Sequence, residues 1–137
     1  MRTKYPKAGC FYMADSRIYE DWFRKARTDL DSAKILSEHG GDPSTVAFLS
    51  QQTIEKALKG FILKSSRQLK DGHSLIYLCR KANEYDDSFA AYFRDCAYVN
   101  QFYIETRYPA DVPEELSAED AERCLKIAES ILSLCTR

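Results

Sequence analysis

The chain has 137 residues, 45% hydrophobic and 30% charged, with a formal net charge of −1. That is one domain of ordinary soluble balance, long enough to bury a real core. The near-neutral charge argues against an extended nucleic-acid interface, which needs a clear cationic excess, and leaves room only for a small local basic site.

The first residues carry Arg2, Lys4 and Lys7 but no apolar stretch of the kind a secretory leader needs. No apolar run approaches the roughly 20 residues that span a bilayer, so no membrane association is expected. Patterned sequence begins near Met13. Residues 1–14 are expected to be a disordered or mis-annotated extension, and residues 15–137 the folded domain.

Helical periodicity runs from about Asp15 to Glu38, with a stripe of Ile18, Trp22, Ala26, Leu30, Ala33 and Ile35 or Leu36. Gly40-Gly41 ends this helix, because glycine takes a positive φ at little cost. Asp42-Pro43 then reads as an N-cap followed by proline in the first turn. The second helix is expected from Pro43 to about Lys64, with Ala47, Ile54, Leu58 and Phe61 or Ile62 inward. Gln51 interrupts that stripe. Glu55 and Lys59 follow it by one and two turns, and Gln52 and Lys56 make a parallel pair beside them.

A polar linker, residues 65–72, leads to a short helix from about Ser74 to Glu84 with Leu75, Leu78, Cys79 and Ala82 inward. A fourth helix is expected from about Ser88 to Thr106. It carries Phe89, Tyr92, Phe93, Tyr98, Phe102 and Tyr103, more aromatic surface than one bundle stripe uses. Positions 98 and 102 point to a second apolar face, and a second copy of the chain is the simplest cover for it. After the loop at residues 109–113, Ser117 and Asp120 resemble a capping box. They open a last helix lined by Ala121, Cys124, Leu125, Ala128, Ile131, Leu132 and Cys135. The pattern predicts an all-α fold, an antiparallel up-and-down bundle of four long helices plus one short helix.

The five cysteines are odd in number and form no C-x-x-C pair. They read as reduced core residues of a cytoplasmic protein. The two histidines, His39 and His73, do not sit at zinc-ligand spacing. No metal and no cofactor are expected.

At the end of the fourth helix Arg107 lies among Tyr103, Tyr108 and Pro109. The residue before a proline is pushed out of the α region, so the helix should stop here. A guanidinium at that end either caps the helix or contacts a phosphate or carboxylate.

These segments together resemble the HEPN family. The first helix reads Trp22-Phe23-Arg24-Lys25-Ala26-Arg27-Thr28-Asp29-Leu30, similar to the opening W-x-x-x-A-x-x-D-L of the family. The second contains Gln51-Gln52-Thr53-Ile54-Glu55-Lys56-Ala57-Leu58-Lys59, similar to its Q-Q-x-x-E-K-x-x-K signature. His73-Ser74-Leu75 and Arg107-Tyr108-Pro109 match its H-x-L and R-Y-P blocks. The resemblance covers about residues 15–135.

It implies a homodimeric helical bundle, of the kind partnered with a minimal nucleotidyltransferase in toxin–antitoxin modules. Other family members are metal-independent ribonucleases with a histidine four to six residues after the arginine. Here the residues after Arg107 are Tyr108-Pro109-Ala110-Asp111-Val112-Pro113, without a histidine. No imidazole near Arg107 is there to move a proton at neutral pH.

The expected function is therefore a non-catalytic binding subunit for a nucleotide or other anion. Its ligand-binding candidates are Gln51, Glu55, Lys59, His73, Arg107 and Tyr108, and no catalytic residue is assigned. The alternatives are a ribonuclease toxin or a purely structural dimerisation module. A tyrosine, Tyr108 before the others, is a further candidate for nucleotidylation by the partner. Each site residue also has a plain structural reading. Glu55 and Lys59 form an i,i+4 ion pair, Gln51 makes an inter-helix hydrogen bond, His73 packs the linker to the bundle, and Arg107 clasps a carboxylate.

Overall fold

A computed structural model describes residues 16–105 and 116–137. Its helices are α1 (Tyr19–Glu38), α2 (Pro43–Ser66), α3 (Leu75–Asn83), α4 (Phe93–Asn100), α5 (Phe102–Glu105) and α6 (Ala118–Thr136). A 3₁₀ segment, Asp87–Tyr92, precedes α4. Among the described residues there is no strand, and the all-helical fold is as expected.

Local chemistry sets the ends of the long helices. Trp22 Nε1 donates to the Ser16 carbonyl at 3.1 Å, and Ser16 Oγ accepts from Ile18 N and donates to Asp21. These bonds hold the entry in an extended form, so α1 begins at Tyr19 rather than near Asp15, which lies outside the described residues. Gly40 takes φ +70° after α1. Asp42 caps α2, accepting from the Thr45 amide at 3.0 Å and from the Ser44 hydroxyl. The Ser44 hydrogen bond, followed by those from Thr45, holds the Asp42 carboxyl below its ordinary pKa. Ser117 and Asp120 form a full capping box at the start of α6.

The hairpin of α1 and α2 is antiparallel: Asp29 meets Lys56 while Trp22, two turns earlier, meets Lys59 and Gly60. Ser37 bonds Glu122 and Lys34 pairs with Glu129, so α6 is antiparallel to α1 as well. The second helix is the hub, packing against every other helix. The core is continuous, from Ala26, Leu30 and Ala33 through Ile54, Leu58 and Ile62 to Leu78, Phe89, Ile131 and Leu132. At Gly60 a Cβ would lie 2.7 Å from the Phe23 ring and 3.0 Å from Trp22 Cβ. Glycine is there because α1 comes too close for a side chain.

The expectations for Ile18 and the fourth helix are corrected, and two positions left open are decided. On α1, Ile18 and Ile35 are exposed, and Leu36 rather than Ile35 packs on the core. On α2, Ile62 is fully buried and Phe61 only partly, against Phe89. The fourth helix is not one rod from Ser88 to Thr106. Asp86 accepts from the Ser88 amide and starts a 3₁₀ segment. At the far end Asn100 Oδ1 accepts from Leu75 N at 2.8 Å, capping α3, and Gln101 Nε2 takes the Tyr98 carbonyl. The Gln101 side chain engages a carbonyl at the end of α4, and the helix breaks before Phe102.

The second aromatic face of this segment is covered within the protomer. Phe102 is buried. Tyr98 donates to Asp120 Oδ1 at 3.1 Å and lies edge-on to Phe102, and the Arg123 guanidinium sits 3.9 Å from its ring centre. Burial, and then the Asp120 bond, push the Tyr98 hydroxyl up to about 12. These residues seal α4 onto α6, so they give no reason of their own for a dimer.

Cys79, Cys96, Cys124 and Cys135 are buried free thiols, as expected, and Cys10 lies outside the described residues. Burial pushes the Cys124 thiol up to about 12 and the Cys135 thiol upward too. Thiols held protonated in this way are inert at neutral pH.

Candidate functional site

Gln51, Glu55 and Lys59 follow one another at four-residue spacing along α2, so they form a single row on that helix. Gln51 is fully buried, and Glu55 and Lys59 are 6% and 7% exposed. Such charges survive inside a protein only when paired and fully hydrogen-bonded. Lys59 Nζ donates to Glu55 Oε2 at 2.9 Å, and its ammonium lies 5.8 Å from the Trp22 ring centre. Gln51 Nε2 donates to Glu55 Oε1 at 3.2 Å and reaches the His73 carbonyl at 3.4 Å, while its Oε1 accepts from Gln52 Nε2 at 2.7 Å.

His73 completes the row from outside α2. Its Nδ1 is 3.1 Å from both Glu55 oxygens. The linker delivers it there because Ser74 caps α3 through the Tyr77 amide and Asn100 takes the Leu75 amide. Tyr103 of α5 stacks on the imidazole, with centroids 5.1 Å apart and planes 19° apart. It also stacks on Phe48 of α2, at 6.3 Å and 24°. A buried carboxylate thus orients an imidazole whose side chain is 58% exposed.

Four of the six residues named from the sequence therefore come together: Gln51, Glu55, Lys59 and His73. Arg107 and Tyr108 lie outside the described residues, and so does any carboxylate clasp by Arg107. Of the structural readings of the α2 row, the Glu55–Lys59 ion pair is present, while Gln51 bonds to Glu55 and Gln52 of its own helix and to the His73 carbonyl of the linker rather than to another helix.

A second cluster was missed. Lys56 Nζ bonds Asp29 Oδ2 on α1 at 2.8 Å and Gln52 Oε1 at 2.9 Å, and Lys25 pairs with Asp29 at 3.3 Å. Asp29 is 6% exposed. The signal was present. Asp29 stands three residues after Ala26 and four before Ala33, on the apolar stripe of its helix, just as Gln51 stands on that of α2. Gln52 bridges the two clusters, touching Gln51 through one end of its amide and Lys56 through the other.

Two surface grooves lie away from this network. One, of about 740 Å³, is lined by Arg17, Tyr19, Glu20, Lys64 and Arg67 between the start of α1 and the end of α2. The other, of about 500 Å³, lies along α6 with Asp95, Glu119 and Glu122 facing Arg123 and Lys126. Neither is lined by a site residue named from the sequence. No group of side chains suited to a metal ion is found among the described residues. No helix there is long and apolar enough to cross a membrane.

A helical bundle with a Gln-Glu-Lys row on its hub helix and a histidine closing the row is the class of domain the sequence signature suggested. The HEPN domain model matches residues 19–137, and the chain belongs to that family. It is 27% identical over 126 residues to "Putative toxin MJ1304" of Methanocaldococcus jannaschii, covering 82% of each chain. It is similar to the crystal structure of TT1696 from Thermus thermophilus, with a TM-score of 0.78 and 30% identity over 88% of this chain and 97% of that one. It is similar too to ST0689, an archaeal HEPN homologue, with a TM-score of 0.67 and 31% identity over 85% and 93% of the two chains.

Proposed function

We propose that this chain is the non-catalytic HEPN subunit of a two-component module. It acts as a cytoplasmic homodimer that binds a minimal nucleotidyltransferase and a nucleotide or similar anion. The observation that carries the binding reading is His73, an exposed ring fixed by a buried carboxylate that is itself saturated by Lys59 and Gln51. Holding an exposed side chain in one orientation costs conformational entropy, and a pre-set contact group recovers that cost when it binds. Gln51, Glu55 and Lys59 then serve as the support, His73 as the contact. Arg107 and Tyr108 are proposed as the anion contact on the strength of the sequence block that holds them.

The toxin–antitoxin setting rests on the family and on the name of the M. jannaschii relative. Co-expression with the adjacent gene product, followed by affinity capture, tests the partner. A stoichiometric complex is expected. Failure to co-purify with a transferase encoded next door refutes the pairing. Light scattering at micromolar concentration should give twice the protomer mass, and a monomeric mass refutes the dimer.

The name of that relative also favours a second reading, in which the chain is itself a metal-independent ribonuclease toxin. That reading requires RNA cleavage without metal, lost in Arg107→Ala. Intact RNA after prolonged incubation with micromolar protein eliminates it.

A further inference from the structure

Glu55 fixes more than the position of His73. A carboxylate only accepts hydrogen bonds, and Nδ1 is 3.1 Å from both of its oxygens. The imidazole must therefore carry a proton on Nδ1. In the neutral ring Nε2 is then a bare acceptor. Lys59 and Gln51 occupy the same carboxylate, so the buried pair is charge-balanced and repels no ligand.

The ring is also fixed face-on. Tyr103 stacks on it and on Phe48, giving a run of three aromatic rings with Tyr103 shared. One face of the imidazole meets Tyr103 and the Nδ1 edge meets Glu55, yet the side chain is 58% exposed. With Tyr103 on one face and Glu55 at the Nδ1 edge, the opposite face and the Nε2 edge are left to account for that exposure. A flat open π-face with one acceptor at its rim selects a ligand with the matching parts: a planar ring joined to a hydroxyl donor.

We propose that His73 is a stacking platform for the base of a ribonucleotide, with Nε2 accepting a hydrogen bond from its ribose. The proposal rests on the nucleotide-binding reading above and narrows it to one residue and one part of the ligand. Stacking on an aromatic face tolerates any base. The hydroxyl contact is what favours ribose over a sugar without hydroxyls. The same chemistry is offered by a free nucleotide and by an unpaired residue of RNA.

The chain has two histidines, so imidazole proton NMR of the full-length protein gives a built-in control. His39 is exposed at the end of α1, with Nδ1 2.9 Å from the Ile35 carbonyl. Adenosine monophosphate, its 2′,3′-dideoxy analogue and a hexa-adenylate are titrated in turn. The His73 resonances should move upfield by ring current while those of His39 stay. The dideoxy analogue should bind several-fold more weakly. His73→Ala should weaken binding about tenfold or more. His73→Phe, which keeps the stack, should bind the nucleotide and its dideoxy analogue equally.

A response to the monophosphate alone assigns the site to free nucleotides, and a response to the hexa-adenylate alone assigns it to RNA; either supports the platform. If calorimetry detects binding while His73 does not move, the platform is wrong and the nucleotide reading stands. If calorimetry and NMR are both silent at millimolar ligand, both fall, and capture of the transferase then tests the partner reading separately.

Discussion

Glu55 and Lys56 are neighbours in the chain, yet they serve opposite flanks of α2. Lys56 closes inward on α1: it meets Asp29 and Gln52, and Lys25 lies on the far side of Asp29. Each charge there ends on another protein group. Glu55 faces the linker and α3, and its chain of contacts runs outward to a ring in solvent. The same chemistry, a buried carboxylate paired with a lysine, makes a rivet on one flank and a presented side chain on the other. The distinguishing feature is the group at the outer end: Lys25, 48% exposed, is a flexible ammonium, whereas His73, 58% exposed, is a ring held in place by stacking on Tyr103.

That contrast can be broken at each end. Glu55→Ala should have the largest effect, because it strands Lys59, which is 7% exposed, beside Trp22. An uncompensated buried charge costs about 3–5 kcal/mol, and urea unfolding should show a loss of unfolding free energy of that size. Asp29→Ala should cost less, about 1–2 kcal/mol, because the side chain of Lys56 is 15% exposed and can turn to water. Equal losses in the two variants would erase the distinction.

Asp120→Ala lies outside both clusters and calibrates them, at about 1 kcal/mol for a lost helix cap. The Ser117 amide, and then the Tyr98 hydroxyl and Ser117 side chain, hold the Asp120 carboxyl below its ordinary value. A depressed folded pKa stabilises above the unfolded one. The difference between wild type and variant should therefore be full above about pH 3.9 and shrink as the pH falls through the lower folded value. A difference that grows in acid would contradict that assignment. His73→Ala should have the smallest effect on stability, under about 1 kcal/mol for an exposed partner, while weakening ligand binding. A loss as large as that of Glu55→Ala would make the ring a rivet too.

What the sequence revealed was mostly local. The caps at Asp42 and Ser117–Asp120 and the turn at Gly40 each depend on residues within four positions, and all are found where expected. The Gln51–Glu55–Lys59 row was legible because helical spacing alone aligns it. What was not legible depended on partners far along the chain. At the break before Phe102, Asn100 caps a helix whose first residue lies 25 positions earlier. Asp29 is held by Lys56, 27 residues away, and reads as a surface residue until its place on the apolar stripe is noticed. Ile35 and Leu36 are equally apolar, and only the angle at which α1 meets its neighbours chooses Leu36.

The four buried thiols sit on three different helices, α3, α4 and α6. Closed packing shields them from alkylating reagents, so each becomes reactive only when its own helix lifts away. In a background with Cys10 replaced by serine, pulse labelling followed by peptide mass analysis would time those separate openings. Such a record would reveal whether the short third helix, which carries the linker and its histidine, lets go of the bundle before the sixth does.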